Sequence, residues 1–141
     1  MGEDGGKHRP IMVHRVVFGS IERYIGILIE HFAGKFPVWL SPVQVKILPI
    51  TDRQEAYANE LCAKMKEAGI RVCVDDRNEK IGYKIREAQM EKVPYMLVVG
   101  EKEMEAGQVA VRRRDKGDTG AVSADEFIAT VKKDIEEKLV F

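Results

Sequence analysis

The residues best suited to chemistry in this chain are few, and most fail on spacing. His8, His14 and His31 are the obvious metal ligands or proton carriers. Their separations match no closed tetrahedral zinc site, which needs three or four donors, so each reads as a solvent-facing or hydrogen-bonded histidine. Asp75 and Asp76 in DDRNEK are paired carboxylates at the end of an expected strand. Neighbouring strand residues point to opposite faces, so the two cannot work as acid and base without a bend, and a turn or cap role fits them better. Cys62 and Cys73 lie in a helical and a strand pattern with no metal-ligand spacing, as small buried hydrophobes of a reducing cytosol do. A GxxxxGK[ST] loop and a GxGxxG turn after a strand are both missing from the sequence, and GEDGG near the start reads as a hairpin tip.

One cluster passes the test. Asn78 follows one expected strand, Glu103 follows the next in VVGEKE, and Arg112 lies in VAVRRR, so the three are expected to converge at one sheet edge. In sheets of this kind ligands bind at the carboxyl ends of strands. Asn, Glu and Arg make a poor acid–base set but a good base-reading set. Asn donates and accepts, Glu accepts, and Arg donates two parallel bonds to the edges of bases splayed from a single-stranded loop. The competing reading of Arg112, Arg113 and Arg114 is a solvated edge strand that discourages aggregation.

The elements that must carry these residues fit one compact domain, since the chain has 141 residues. Lys plus Arg equals Asp plus Glu at 23 each, so no global positive field draws a polyanion, and nucleic-acid binding must come from a local patch. No apolar run approaches the roughly 18 residues of a membrane span. The N-terminus lacks the basic and apolar regions of a signal peptide, so a cytoplasmic location is expected.

Pro37 and Pro42 punctuate FPVWLSPVQV and divide the chain. Beyond them, VQVKIL, IRVCV, YMLVVG, QVAVRRR and TGAVS read as strands. Helices are expected over TDRQEAYANELCAKMKEAG, capped by Thr51 with Gln54 or Asp52 with Glu55, and over EKIGYKIREAQMEKV, with Ile81, Ile85 and Ala88 on one face. A last helix opens at Ser123 with Glu126 three residues on and buries Phe127, Val131, Ile135 and Leu139. This order predicts an α/β fold, a mixed sheet with right-handed crossovers and helices on its faces. Before Pro37, a strand IMVHRVVF leads into a helix, SIERYIGILIEHF, that is apolar on nearly all sides. Such a helix belongs inside a larger body, packs on the sheet, or meets a second copy.

HRVVFGSIERYIGILIEHFAGKFPVWLSPVQV, RVCVDDRNEKIGYKIREAQMEKVPYMLVVGEKE and VAVRRR together resemble the C-terminal end of bacterial threonyl-tRNA synthetases, along essentially the whole chain. The resemblance implies a class IIa anticodon-binding domain over 43–141, a five-stranded mixed sheet flanked by three helices. It implies a linker over 37–42, and over 1–36 the last strand and helix of a class II catalytic domain. Arg23 matches the motif 3 arginine that clamps ATP phosphate, a role suited to a permanently charged planar fork. His14 matches one ligand of the family's catalytic zinc, but the other two protein ligands and motifs 1 and 2 have no counterpart in this sequence. ATP, Mg and Zn would serve the full-length homodimeric enzyme, and no cofactor is expected in this portion. Asn78, Glu103 and Arg112 match positions that contact anticodon bases of the threonine tRNA. Lys80, Lys84, Arg113 and Arg114 are expected phosphate contacts, on charge and proximity. Two other classes stay open: a free-standing accessory module that reads no anticodon, and a flavodoxin-like redox or small-ligand protein, which the lack of a phosphate loop disfavours.

Overall fold

A computed structural model describes residues 4–9 and 11–141. The start of the expected GEDGG hairpin tip, Gly2 and Glu3, lies outside them.

The elements run α1 (Ile21–His31), β1 (Val45–Pro49), a 3-10 turn (Asp52–Gln54), α2 (Glu55–Glu67), β2 (Val72–Val74), α3 (Ile81–Met90), β3 (Tyr95–Val99), α4 (Glu101–Ala106), β4 (Gln108–Arg113), β5 (Gly117–Ser123) and α5 (Ala124–Glu136). The strands form one mixed sheet in the order β2-β1-β3-β4-β5. β2, β1 and β3 are parallel, and β4 and β5 are antiparallel additions. β1 and β3 are apolar along most of their length because they sit in the middle of the sheet with both faces covered.

Alternation along the strands divides the burial between two faces. Val45, Ile47, Tyr95, Leu97, Val99, Val109 and Val111 pack against Leu61 and Met65 of α2 and Phe127 and Val131 of α5. On the opposite face Leu48 and Met96 meet Ala88 of α3, with Ile81 and Ile85 alongside. Among the described residues, α3 is the helix packed on that face. Over β4 and β5 it stays open: Ala110 and Arg112 are half-buried, Asp118 and Ala121 exposed.

Local signals placed several boundaries. Thr51 N–H donates to Gln54 Oε1 at 3.0 Å, the expected capping pair, and Ser123 Oγ accepts from Glu126 N–H at 3.2 Å at the start of α5. Leu139 lies past the end of α5 and is 40% exposed, so it leaves the expected buried stripe. α4 is an addition to the three expected helices. Its six residues, EKEMEA, carry too few apolar side chains to show a period, and Gly107 closes it at φ 65°.

Residues 11–18 form no strand and are exposed throughout, because no neighbour among the described residues supplies the ladder that a strand needs. α1 forms as expected but buries none of its residues. The stretch 37–42, expected as a linker, is packed. Val38 is fully buried in the main core, Gln44 Nε2 donates to Val38 O at 2.9 Å, and Arg71 donates to Ser41 O and Trp39 O, both at 2.9 Å. Among the described residues no helix is long and apolar enough to cross a membrane.

Candidate nucleic-acid interface

Asn78 and Glu103 both lie on the carboxyl edge of the parallel strands. Asn78 sits in the segment between β2 and α3, and Glu103 sits in the first turn of α4, which leaves β3 directly. Because β1 separates β2 from β3, the exit of β1 at Ile50 and Thr51 stands between them. Two clefts flank that exit. One, of about 170 Å³, is lined by Thr51, Asp52, Asn78, Glu79 and Lys84 among others. The other, of about 350 Å³, is lined by Ile50, Thr51, Arg53, Gln54, Gly100 and Glu101.

Local geometry aims each group. Glu79 N–H donates to Arg77 O at 2.9 Å, closing a three-residue turn with Asn78 at its centre and exposed. Asp75, four-hundredths exposed, accepts from Arg77 Nε at 2.8 Å and Nη2 at 2.6 Å, and Arg77 also reaches Glu87 of α3. That guanidinium holds the Asp75 and Glu87 carboxyls below their ordinary range. Asp76 is exposed, so the adjacent aspartates do part to opposite environments. Glu103 Oε2 accepts from Gly100 N–H at 3.0 Å. A methyl group at Gly100 would sit 2.7 Å from that oxygen and 3.0 Å from Ile50 Cδ1, so only glycine lets the carboxylate fold this closely onto the strand end. No signal in the sequence marked this close approach at Gly100.

Arg112 departs from the expected shared edge. It pairs with Met96, three residues before the end of β3, which sets it about 10 Å back along the strand at the usual rise per residue. It lies on the open face of the sheet, where its Nη1 is 3.7 Å from Asp118 Oδ2 and its Nε is buried without a partner among the described residues. The β4–β5 register shifts between Val111 and Arg112, and such a bulge re-aims the side chain beside it.

Three of the four expected phosphate contacts are engaged elsewhere. Lys84 is buried, and its Nζ donates to Asp75 O at 2.9 Å and Pro49 O at 3.2 Å. The sequence held a signal for this: Ile81, Lys84, Ile85 and Ala88 follow helical spacing on one stripe. Arg113 pairs with Tyr95, on the opposite face from Arg112. It binds Asp115 through Nε at 2.5 Å and Nη2 at 2.6 Å and covers the Phe141 ring at 3.9 Å. Arg114 donates to Lys92 O at 2.8 Å, Phe141 O at 2.8 Å and Lys35 O at 3.2 Å. Strand alternation and unpaired carbonyls, not charge, decide these positions. Lys80 remains exposed at the N-terminal boundary of α3.

Arg23 and His14 are exposed in the N-terminal segment. Among the described residues no group of three or more His, Cys, Asp or Glu is placed to hold a metal, so His14 by itself does not fit a zinc centre.

The parallel core carries planar hydrogen-bonding side chains at its carboxyl edge and on one open face. Residues 44–134 match the model of the anticodon binding domain family, and the chain belongs to that family. Over 140 residues, 99% of the chain, it is 65% identical to the threonine–tRNA ligase of Desulforamulus reducens, of which it covers 22%. It is 66% identical over 138 residues to that of Clostridioides difficile, again covering 22% of the relative. The RNA binding domain of threonyl-tRNA synthetase from Cryptosporidium parvum superposes with a TM-score of 0.77 at 34% identity, covering 82% of this chain and 29% of that one. The chain thus spans about a fifth of the length of the curated relatives it matches.

Proposed function

We propose that this chain is the tRNA-reading part of a threonine–tRNA ligase and holds the anticodon loop of a threonine tRNA against the carboxyl edge and open face of its sheet. The observation that carries the reading is the placement of Asn78 and Glu103 on either side of the β1 exit, which is flanked by two open clefts. Threonine anticodons end in G-U. Glu103 supplies a carboxylate to accept from the ring and amino donors of guanine, and Arg112 supplies donors for base carbonyls. Asn78 can meet either kind of edge. By analogy with groove readout, each well-made pair contributes about 1–3 kcal/mol of discrimination. Lys80 adds affinity through phosphate without sequence information.

In a whole, cytoplasmic and homodimeric ligase, ATP and Mg would supply the chemistry of threonine activation. There Arg23, as the motif 3 arginine, would hold ATP phosphate, and His14 would be one of three protein ligands to zinc, its partners lying in other parts of the ligase. No step of that chemistry rests on these two residues by themselves.

The test is binding of the chain to a threonine anticodon stem-loop and to loops with the second or third anticodon base changed, over a range of salt. Discrimination that Asn78→Ala, Glu103→Ala or Arg112→Ala erodes supports the reading. Equal, steeply salt-dependent binding to every loop refutes it and favours an accessory module.

A further inference from the structure

We propose that Lys84 is a positioning residue for base reading: its buried ammonium ties the ends of β1 and β2 together and so sets the turn that presents Asn78. The inference rests on the anticodon reading above.

A lysine head group is seldom buried unless it is paired, because an isolated charge loses its hydration. The residue is 4% exposed, and its two acceptors are main-chain carbonyls from different strands, Pro49 at the end of β1 and Asp75 just beyond β2. One cation therefore fixes the spacing between two strand ends through charge-assisted bonds. Asp75 is also the anchor of the turn. Its N–H continues the ladder to Ile47 O at 2.9 Å, and its carboxylate holds Arg77, whose carbonyl accepts from Glu79. Lys84 grips the main chain of Asp75, while Glu87, one helical turn on, grips Arg77. One stripe of α3 thus holds the leading side of the turn at two points. The Asn78 side chain makes no hydrogen bond of its own among the described residues, so its direction follows from the backbone beneath it.

The experiment compares affinities of the chain for a threonine anticodon stem-loop and for a single-base variant, in wild type, Asn78→Ala, Lys84→Met, Lys84→Gln and the Asn78→Ala/Lys84→Met double variant. Lys84→Met and Asn78→Ala are each expected to shrink the ratio about tenfold, which is about 1.4 kcal/mol. The double variant is expected to shrink it no further, as for two residues acting through one contact. Lys84→Gln keeps two donors and should fall between wild type and Lys84→Met; it carries the comparison if the methionine variant does not fold. Equal weakening for every loop with a salt slope reduced by about one would make Lys84 a phosphate contact and overturn the proposal. A lowered melting temperature with an unchanged ratio would also overturn it. If wild type itself fails to discriminate, the anticodon reading falls separately. The clamp is then judged without RNA: amide exchange at Asp75 and Glu79 should quicken in Lys84→Met, and unchanged rates would refute it.

Discussion

Gly100→Ala separates the aim of Glu103 from the stability of the fold. The added methyl would lie 2.7 Å from Glu103 Oε2 and 3.0 Å from Ile50 Cδ1, both ends of flexible side chains, so the backbone can stay and the side chains must turn away. The Gly100 backbone, at φ −108° and ψ −172°, is extended and suits alanine. Losing the bond from Gly100 N–H to Glu103 removes a cap contribution of about 1 kcal/mol. Reduced freedom of the unfolded chain returns about 0.4–1 kcal/mol. The net change is then about 0–0.6 kcal/mol, a melting shift of roughly 2 °C or less for a domain of this size. Base reading should suffer far more, because the displaced group is the proposed acceptor: discrimination should drop by about 1–3 kcal/mol, close to the loss in Glu103→Ala. Calorimetry or filter binding on matched and single-base-changed stem-loops, beside a thermal melt, gives both numbers. A variant that discriminates like wild type while Glu103→Ala does not would refute the idea that this close approach aims the carboxylate.

Three further outcomes are expected. Tyr95 O–H donates to the buried Asp134 Oδ2 at 2.6 Å, and Tyr95→Phe should destabilise the fold by about 1–3 kcal/mol by leaving that oxygen unpaired. Burial, which penalises the ionised form, and this bond raise the Tyr95 hydroxyl above its ordinary 10.0, so the bond's stabilisation is complete below pH 10 and is lost as pH rises through the raised folded value; the phenylalanine variant should show a shallower alkaline slope. Arg77 depresses the Asp75 and Glu87 carboxyls below 3.8 and 4.5, so its stabilisation is present above those values and lost as pH falls beneath them. In Arg77→Met, carbon-detected titration should find the Glu87 carboxyl back near its ordinary value, with acid unfolding beginning at higher pH. Arg114→Ala removes the donor to three carbonyls that join residues 35, 92 and 141, and should lower the melting temperature and speed proteolysis near Lys35 while leaving the salt slope of RNA binding unchanged.

The fold was legible wherever its signal was local. A continuous apolar run marked β3, and side-chain pairs three apart marked the starts of the 3-10 turn and α5. The directions of the expected site residues were less legible than the elements that carry them. Alternation correctly separated Asp75 from Asp76, and the same rule separates Arg112 from Arg113, yet the three consecutive arginines read as one basic group. α4 escaped because six residues are too few to show a period. Lys84 sat in plain view on an apolar stripe, but charge spoke for solvent until two strand ends supplied its acceptors.

By itself the sequence determined the α/β order and the parallel centre of the sheet, because propensity, periodicity and capping act over a few residues. Tertiary structure decided which charges remain available. Whether a lysine or arginine faces solvent depends on carbonyls and carboxylates that are distant in the chain: Pro49 and Asp75 for Lys84, Lys35, Lys92 and Phe141 for Arg114. Those partners exist only once the strands have paired and the helices have docked, so the division between structural and exposed charge is a property of the packed fold.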